Sequence, residues 1–213
     1  MSYAQAIPAQ TPAEIRAAET VVARRVKRRN AVTAMLTGAA LAFAAVKWYG
    51  MRFSPLAFAG GLLCGLLYAN AFEYVLHRFV LHWGESFLVA SHGLHHDTAG
   101  APNEARYVNF ATSPLVVILL FLLNAPAAFA VESALHWSLA PGMLAGFTIY
   151  YVLYEEIHWR FHMGGWLPRW MAAARRHHML HHGGFEGRYN VFLPLFDWIF
   201  NRREWRRQPL QPR

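Results

Sequence analysis

Long apolar stretches alternate with short polar segments along most of the chain. A helix needs about 20 predominantly apolar residues to cross the hydrocarbon core of a bilayer. Apolar stretches that come close to this length lie at 31–48, 56–72, 114–131 and 139–154. In the second stretch, Gly61 and Gly65 have the spacing that lets two membrane helices approach closely. The pattern therefore predicts an all-α integral membrane protein with four transmembrane helices.

Charged residues lie mostly outside these stretches, and they carry a net charge of +8. The basic ones cluster before the first span, between the second and third, and after the fourth. With four spans these segments share one side, and the basic excess predicts that this side is cytoplasmic. We expect a multi-pass protein, with both termini cytoplasmic, in a bacterial inner membrane. Basic residues that flank spans suit an anionic membrane surface, and nucleic acid is not an expected partner.

Three regions follow from this division. Residues 1–30 form a polar and basic cytoplasmic segment, residues 31–202 form one membrane domain with a cytoplasmic helical cap, and residues 203–213 form a basic tail. The single cysteine, Cys64, lies in an apolar stretch. A disulfide within the chain and a thiolate metal cluster are therefore both excluded.

Histidine is abundant, with 12 copies, and ten of them fall into four compact clusters. All ten lie in the segments predicted to be cytoplasmic, whereas His136 lies on the other side and is assigned no metal role. Ten imidazoles are too many for one ion, so we predict two metal ions with about five ligands each. Imidazole suits zinc, copper, iron and nickel, so the ligand type does not name the metal. The predicted ligands are His77, His82, His92, His95, His96, His158, His162, His178, His181 and His182.

The spacing within each cluster predicts how its rings point. Residues three and four apart lie on one helix face. The rings of 92, 95 and 96 are therefore expected to point the same way, as are those of 178, 181 and 182, and of 158 and 162. His77 and His82 are five apart, so they either serve different metals or straddle a local distortion of the helix.

Histidine-rich segments also occur in storage proteins and transporters, and a non-enzymatic metal-binding protein or transporter stays as an alternative. Storage tracts are usually of low complexity, whereas these clusters are interleaved with large apolar residues. A transporter would place its ligands near the bilayer midplane, whereas these lie at or beyond one interface. The clusters therefore favour a fixed metal centre.

The four clusters resemble those of the fatty acid hydroxylase superfamily of membrane di-iron enzymes, which includes sterol desaturases and carotenoid hydroxylases. The similarity covers roughly 73–202 and is greatest to the fatty acid and ceramide 2-hydroxylase branch. Met163 and Phe196 depart from that branch, which often has histidine and tryptophan there. The similarity rests on Glu73-Tyr74 before His77-Arg78-Phe79, Tyr154-Glu155 before His158, and Tyr189-Asn190-Val191 before Asp197-Trp198-Ile199-Phe200.

The resemblance implies an O2-dependent hydroxylase that acts on a lipid acyl chain. Two iron ions are the implied cofactors, and zinc can replace them on purification. The implied partners are a lipid substrate and a separate electron donor of the ferredoxin or cytochrome b5 type. A carotenoid or sterol hydroxylase or desaturase is the alternative. Hydrogen-bonding partners are needed to fix the tautomer of each metal-bound imidazole, and the candidates are Glu73, Asp97, Glu155, Glu156 and Asp197. His177 is not expected to be a ligand.

Overall fold

The computed structural model describes residues 10–203, and within that range the chain is helical and has no β-strand. The all-α prediction is therefore confirmed. Residues 1–9 of the predicted N-terminal segment, and all of the predicted tail except Arg203, lie outside the described residues. The helices are α1 (Pro12–Tyr49), α2 (Pro55–Val75), α3 (Phe87–Asp97), α4 (Ala105–Val108), α5 (Pro114–Leu135), α6 (Ala140–Met163), α7 (Met171–His182) and α8 (Leu195–Phe200), with a π-helical turn, Leu76–Leu81, continuing α2.

Helix α1 begins well before the predicted first span. Thr11 and Glu14 form a capping box at its start, and the helix then runs for 38 residues, which is about 57 Å at 1.5 Å per residue. Its first half binds the segment that precedes α5: Asn109 donates to the carbonyl of Ala23 (2.9 Å), and Asn30 donates to that of Ala111 (2.6 Å). The basic first half of α1 is therefore hydrogen-bonded to the segment just before α5.

Helices α2 and α6 pack backbone against backbone through glycines. A Cβ atom added to Gly65 would lie 2.2 Å from the carbonyl oxygen of Met143, and one added to Gly146 would lie 2.4 Å from that of Leu62. Gly61 makes the same kind of approach, at 2.2 Å from the oxygen of Leu139. The close approach predicted from the glycine spacing is confirmed. It joins the two helices whose C-terminal ends carry the first and third histidine clusters.

Among the described residues, three helical segments are long and apolar enough to cross a membrane: Pro12–Tyr49, Pro55–Leu81 and Pro114–Leu135. Helix α6 coincides with the predicted fourth span but is not among them. Its second half holds Glu155, Glu156 and Arg160, which lower its mean hydropathy. Thirteen of its 24 residues are buried, so neighbouring helices rather than lipid cover much of its surface. Three of the four predicted spans are thus supported by length and composition.

A buried carboxylate closes the end of the bundle opposite the histidine clusters. Glu132, 2% exposed, accepts hydrogen bonds from the backbone N–H groups of Ser138 (2.9 Å), Leu139 (2.7 Å) and Ala140 (3.2 Å). It thereby satisfies N–H groups at the start of α6 that have no partner within the helix. His136 is the C-cap residue of α5 at this end of the bundle, away from the four histidine clusters.

Candidate metal centre

The π-helical turn that continues α2 brings His77 and His82 together. In a π-helix the hydrogen bonds join residues five apart, so side chains at that spacing come onto one side. The two rings stack with their centroids 5.1 Å apart. Of the two readings of this spacing, the local distortion is therefore the one found.

All ten predicted ligands converge in two groups of five. In each group one ring nitrogen per histidine lies within 4.8 Å of all the others. We call them the first and the second group. The first group is His77, His82, His92, His96 and His181, and the second group is His95, His158, His162, His178 and His182.

Helices α3 and α7 each supply ligands to both groups. On α3, His92 and His96 belong to the first group and His95 to the second. The prediction that these three rings point the same way is therefore wrong. The reason is that successive helical residues are about 100° apart. Side chains four residues apart therefore point to the same group, whereas the side chain next to one of them points to the other group. Helix α7 repeats the arrangement, with His181 in the first group and His178 and His182 in the second.

The two groups are in direct contact but differ in exposure. The rings of His96 and His182, one from each group, stack with centroids 4.3 Å apart. In the second group, His158 is 4% and His178 is 1% exposed. In the first group His82 is exposed. The second group is thus the more buried of the two, and the first is exposed at His82.

The separations between ring nitrogens fit ligands around a metal ion. The contacts between Nε2 atoms measure 2.9–3.2 Å. Two imidazoles at right angles on one ion, each about 2.1 Å from it, have nitrogens about 3.0 Å apart. A cation among the converging Nε2 atoms would accept lone pairs that otherwise face one another.

Burial keeps these rings in the neutral form that binds metal. It lowers the pKa of His95, His178 and His181 well below the ordinary value, and the positive charge of neighbouring rings lowers it further. The same causes lower the pKa of His96 to about 4 and that of His182 to about 2. Metal ligation requires unprotonated imidazole, and these five rings are in that state at neutral pH.

Two rings are oriented by hydrogen bonds on the side away from the groups. Glu104, buried just before α4, binds Nδ1 of His162 through Oε1 at 2.8 Å. Nδ1 of His77 contacts the carbonyl oxygen of Tyr189. Partners of this kind set the tautomer and the orientation of metal-bound imidazoles. Glu104 was not among the predicted carboxylates, because nothing in its spacing from the histidines marks it in the sequence.

The five predicted carboxylates belong to neither histidine group and have varied partners. Glu73 and Asp197 are buried and accept hydrogen bonds from the backbone of residues 189–191. Glu155 is buried and accepts from the N–H of Phe110 at 2.9 Å. The side chain of Glu156, 39% exposed, pairs with Lys27 and Arg160 on the far side of α6. Asp97 follows His96 at the end of α3 and is exposed.

His177 lies outside both groups, as predicted. Its Nε2 contacts a carboxylate oxygen of Asp197 at 2.9 Å. The neighbouring His178 belongs to the second group. Successive residues on α7 therefore have different surroundings: one ring meets a buried carboxylate, and the other meets four imidazoles.

A cavity of about 110 Å³ lies beside the histidine groups. Its wall includes histidines of both groups, and it adjoins a second, apolar cavity between α2, α5 and α6. Phe110 and Tyr154 line both cavities, and the ring of Tyr154 stacks on that of His158 at 5.5 Å. The apolar cavity ends at Phe147, and beyond it lies a third small cavity that Phe147 also lines. Two cavities with shared lining residues thus lie between the helix bundle and both groups. The histidines in the wall are His77, His92, His95, His158 and His178.

The fold and the site together define a membrane protein that is helical over the described residues and whose two adjoining histidine groups have a geometry suited to metal ions. The family model for fatty acid hydroxylase matches residues 62–202. The chain belongs to the fatty acid hydroxylase family. This confirms the resemblance inferred from the histidine clusters, and with it the expectation of a family of oxidoreductases.

Relatives of this chain include two kinds of 2-hydroxylase. The dihydroceramide fatty acyl 2-hydroxylase FAH2 of Arabidopsis thaliana is 28% identical over 143 residues, which are 64% of this chain and 57% of the relative. The fatty acid 2-hydroxylase of Mus musculus is 26% identical over 165 residues, which are 72% of this chain and 42% of the relative. The chain thus spans about half the length of these relatives.

A solved structure of full-length scs7p, in which only the hydroxylase domain is visible, has a similar fold. The TM-score is 0.60 at 24% sequence identity, with 81% of this chain and 64% of that chain covered. This likeness supports the fold of the helical domain.

Proposed function

We propose that this chain is a membrane-bound, metal-dependent hydroxylase that inserts an oxygen atom into a C–H bond of a lipid acyl chain. The observation that carries the proposal is the cavity whose wall includes histidines of both groups and which adjoins an apolar cavity inside the helix bundle. Apolar walls of this kind suit an acyl chain better than a water-soluble substrate. The names of the relatives, fatty acid 2-hydroxylase and dihydroceramide fatty acyl 2-hydroxylase, support the same substrate class.

The cofactors proposed are two iron ions, one in each group. Side-chain acids and bases do not attack an unactivated C–H bond, so a metal must supply the oxygen chemistry. Bound iron would supply activation of O2, with one oxygen atom entering the C–H bond and the other leaving as water on delivery of two electrons and two protons. We propose a separate ferredoxin-like or cytochrome b5-like protein as the electron donor.

The chain itself contributes placement of the substrate. Phe110 and Tyr154, at the junction of the two cavities, would hold a methylene group beside both histidine groups. Because the choice between hydroxylation and desaturation depends on which hydrogens are presented, placement at this junction decides the product. The apolar walls also exclude water from the reacting carbon. Glu104 and the carbonyl of Tyr189 hold the rings of His162 and His77.

We further propose that α6 is a fourth span and that the histidine groups lie on the cytoplasmic side. Helix α6 runs antiparallel to α5 and packs closely on α2, and both of these helices are apolar enough to span. The basic residues at 24–29 precede the apolar half of α1, at the end where α1 contacts the segment 100–112. Basic residues favour the cytoplasmic side, in keeping with a bacterial inner membrane.

The test is lipid analysis of cells that express the chain under 18O2. The wild type should produce lipids that carry one added labelled oxygen atom on an acyl chain. His178→Ala should produce none, whereas His136→Ala, altered outside both groups, should match the wild type. Absence of labelled lipid in wild-type cells that contain fatty acids and ceramides, with metal transport instead, would overturn the proposal. Labelled carotenoid or sterol, or new double bonds, would replace the proposed substrate or reaction by the alternatives within the family.

A further inference from the structure

Two buried carboxylates hold one short segment against the first histidine group. Residues 189–191 lie between α7 and α8 and have no helical hydrogen bonds of their own, so their backbone N–H groups need other partners. Those of Tyr189 and Asn190 donate to Asp197 at 2.9 and 2.8 Å, and that of Val191 donates to Glu73 at 2.7 Å. Three consecutive N–H groups thus bind two carboxylates from different helices.

The segment is tied down further by Asn190, which is fully buried. Its side-chain amide donates to Glu73 at 3.1 Å and to the carbonyl of Asn70 at 2.9 Å. Its side-chain oxygen accepts from the N–H of Phe196 at 3.2 Å. Asp197 is fully buried as well and also contacts Nε2 of His177. Helices α2, α7 and α8 therefore all meet at this segment.

Tyr189 faces the first group with both its backbone and its ring. Its carbonyl oxygen contacts Nδ1 of His77. Its ring lies edge-on to the rings of His77, His82 and His181, with centroids 5.8–5.9 Å apart. A carbonyl at Nδ1 requires the proton there, which leaves the lone pair on Nε2 for a metal ion. The position of Tyr189 therefore sets the tautomer of His77 and the packing of three rings of the first group.

We propose that Glu73 and Asp197 are positioning residues for metal binding at the first group and that they act through the segment 189–191. The inference rests on the proposed function only in that the two groups bind metal. It separates Glu73 and Asp197 from the other carboxylates near the centre, because these two share a backbone segment whose carbonyl and ring contact the ligands. Neither carboxylate belongs to either histidine group.

The test uses Asp197→Asn and, as a second variant that approaches the segment from α2, Glu73→Gln. Each amide keeps one oxygen acceptor but turns an NH2 group toward donors that the carboxylate accepted. The full chain in detergent is titrated with Co2+ against a chelator. His82→Ala, altered at the exposed edge of the first group, identifies the binding step that belongs to that group. Glu132→Gln is the matched control, since it removes a buried carboxylate that accepts three N–H groups at the other end of the bundle.

We expect Asp197→Asn and Glu73→Gln to weaken the step marked by His82→Ala by at least about tenfold, and the other step by less. Glu132→Gln should lower thermal stability and leave both Co2+ affinities near those of the wild type. Unchanged affinity at the marked step in a folded variant would overturn the inference, as would an equal loss at both steps that Glu132→Gln reproduces. Failure of the wild type to bind Co2+ would instead count against the proposed function.

Discussion

The hydrogen bond between Glu104 and His162 offers a direct test of the second histidine group. It spans 2.8 Å, and the side chains of His162 and Glu104 are 0% and 5% exposed, so no solvent competes for it. Loss of such a partner typically weakens metal binding 10- to 100-fold, or about 1.4–2.7 kcal/mol. Glu104→Gln keeps an acceptor oxygen and loses only the charge, so we expect about tenfold. Glu104→Ala leaves a buried ring nitrogen without a partner, so we expect about 100-fold.

The assay is Co2+ titration against a chelator, with the two binding steps followed separately. Glu156→Gln is the control, because Glu156 precedes His158 by two residues but faces Lys27 and Arg160. It should leave both steps unchanged. The reasoning would be refuted if Glu104→Gln bound Co2+ as the wild type does, or if Glu156→Gln weakened binding as much.

Three further substitutions test other parts of the structure. His178→Ala should lower the metal content of the purified chain, whereas His177→Ala should keep two ions per chain, as measured by elemental analysis; equal losses would contradict the grouping. Gly65→Ala should lower the free energy of unfolding by about 1–3 kcal/mol, because its Cβ would meet the backbone of α6. Gly60→Ala should leave it unchanged, because the nearest atom to its Cβ is a side-chain carbon of Leu139 at 3.6 Å. Phe147→Ala, which joins the apolar cavity to the third one, should shift the hydroxylated products toward longer acyl chains; an unchanged chain-length profile would exclude this path.

The identity of the ten converging histidines could be predicted from the sequence, because side chains of one type at helical spacing leave few other readings. Which five of them form each group could not be predicted. Whether the ring of His95 joins those of His92 and His96 depends on where the second group lies, which is a matter of helix packing. Likewise the π-helical turn at Leu76–Leu81 was one of two readings of a five-residue step, and only the packed structure distinguishes them.

Glu104 and α6 show a different limit of the sequence. Glu104 reaches His162 from 58 residues away in the chain, and no periodicity relates two positions in separate elements. For α6, an apolar stretch predicts a span, but the helix is largely covered by protein. Its composition reflects its protein neighbours as much as any lipid, so hydropathy alone does not determine its topology.

The unequal exposure of the two groups has a consequence for metal exchange. An ion in the first group can be approached by chelators and competing metals at the exposed His82, whereas an ion in the second group is enclosed by rings such as His158 and His178. Replacement should therefore begin in the first group and be slow in the second. Exposure of the purified chain to a competing metal should then give chains that hold different metals in the two groups.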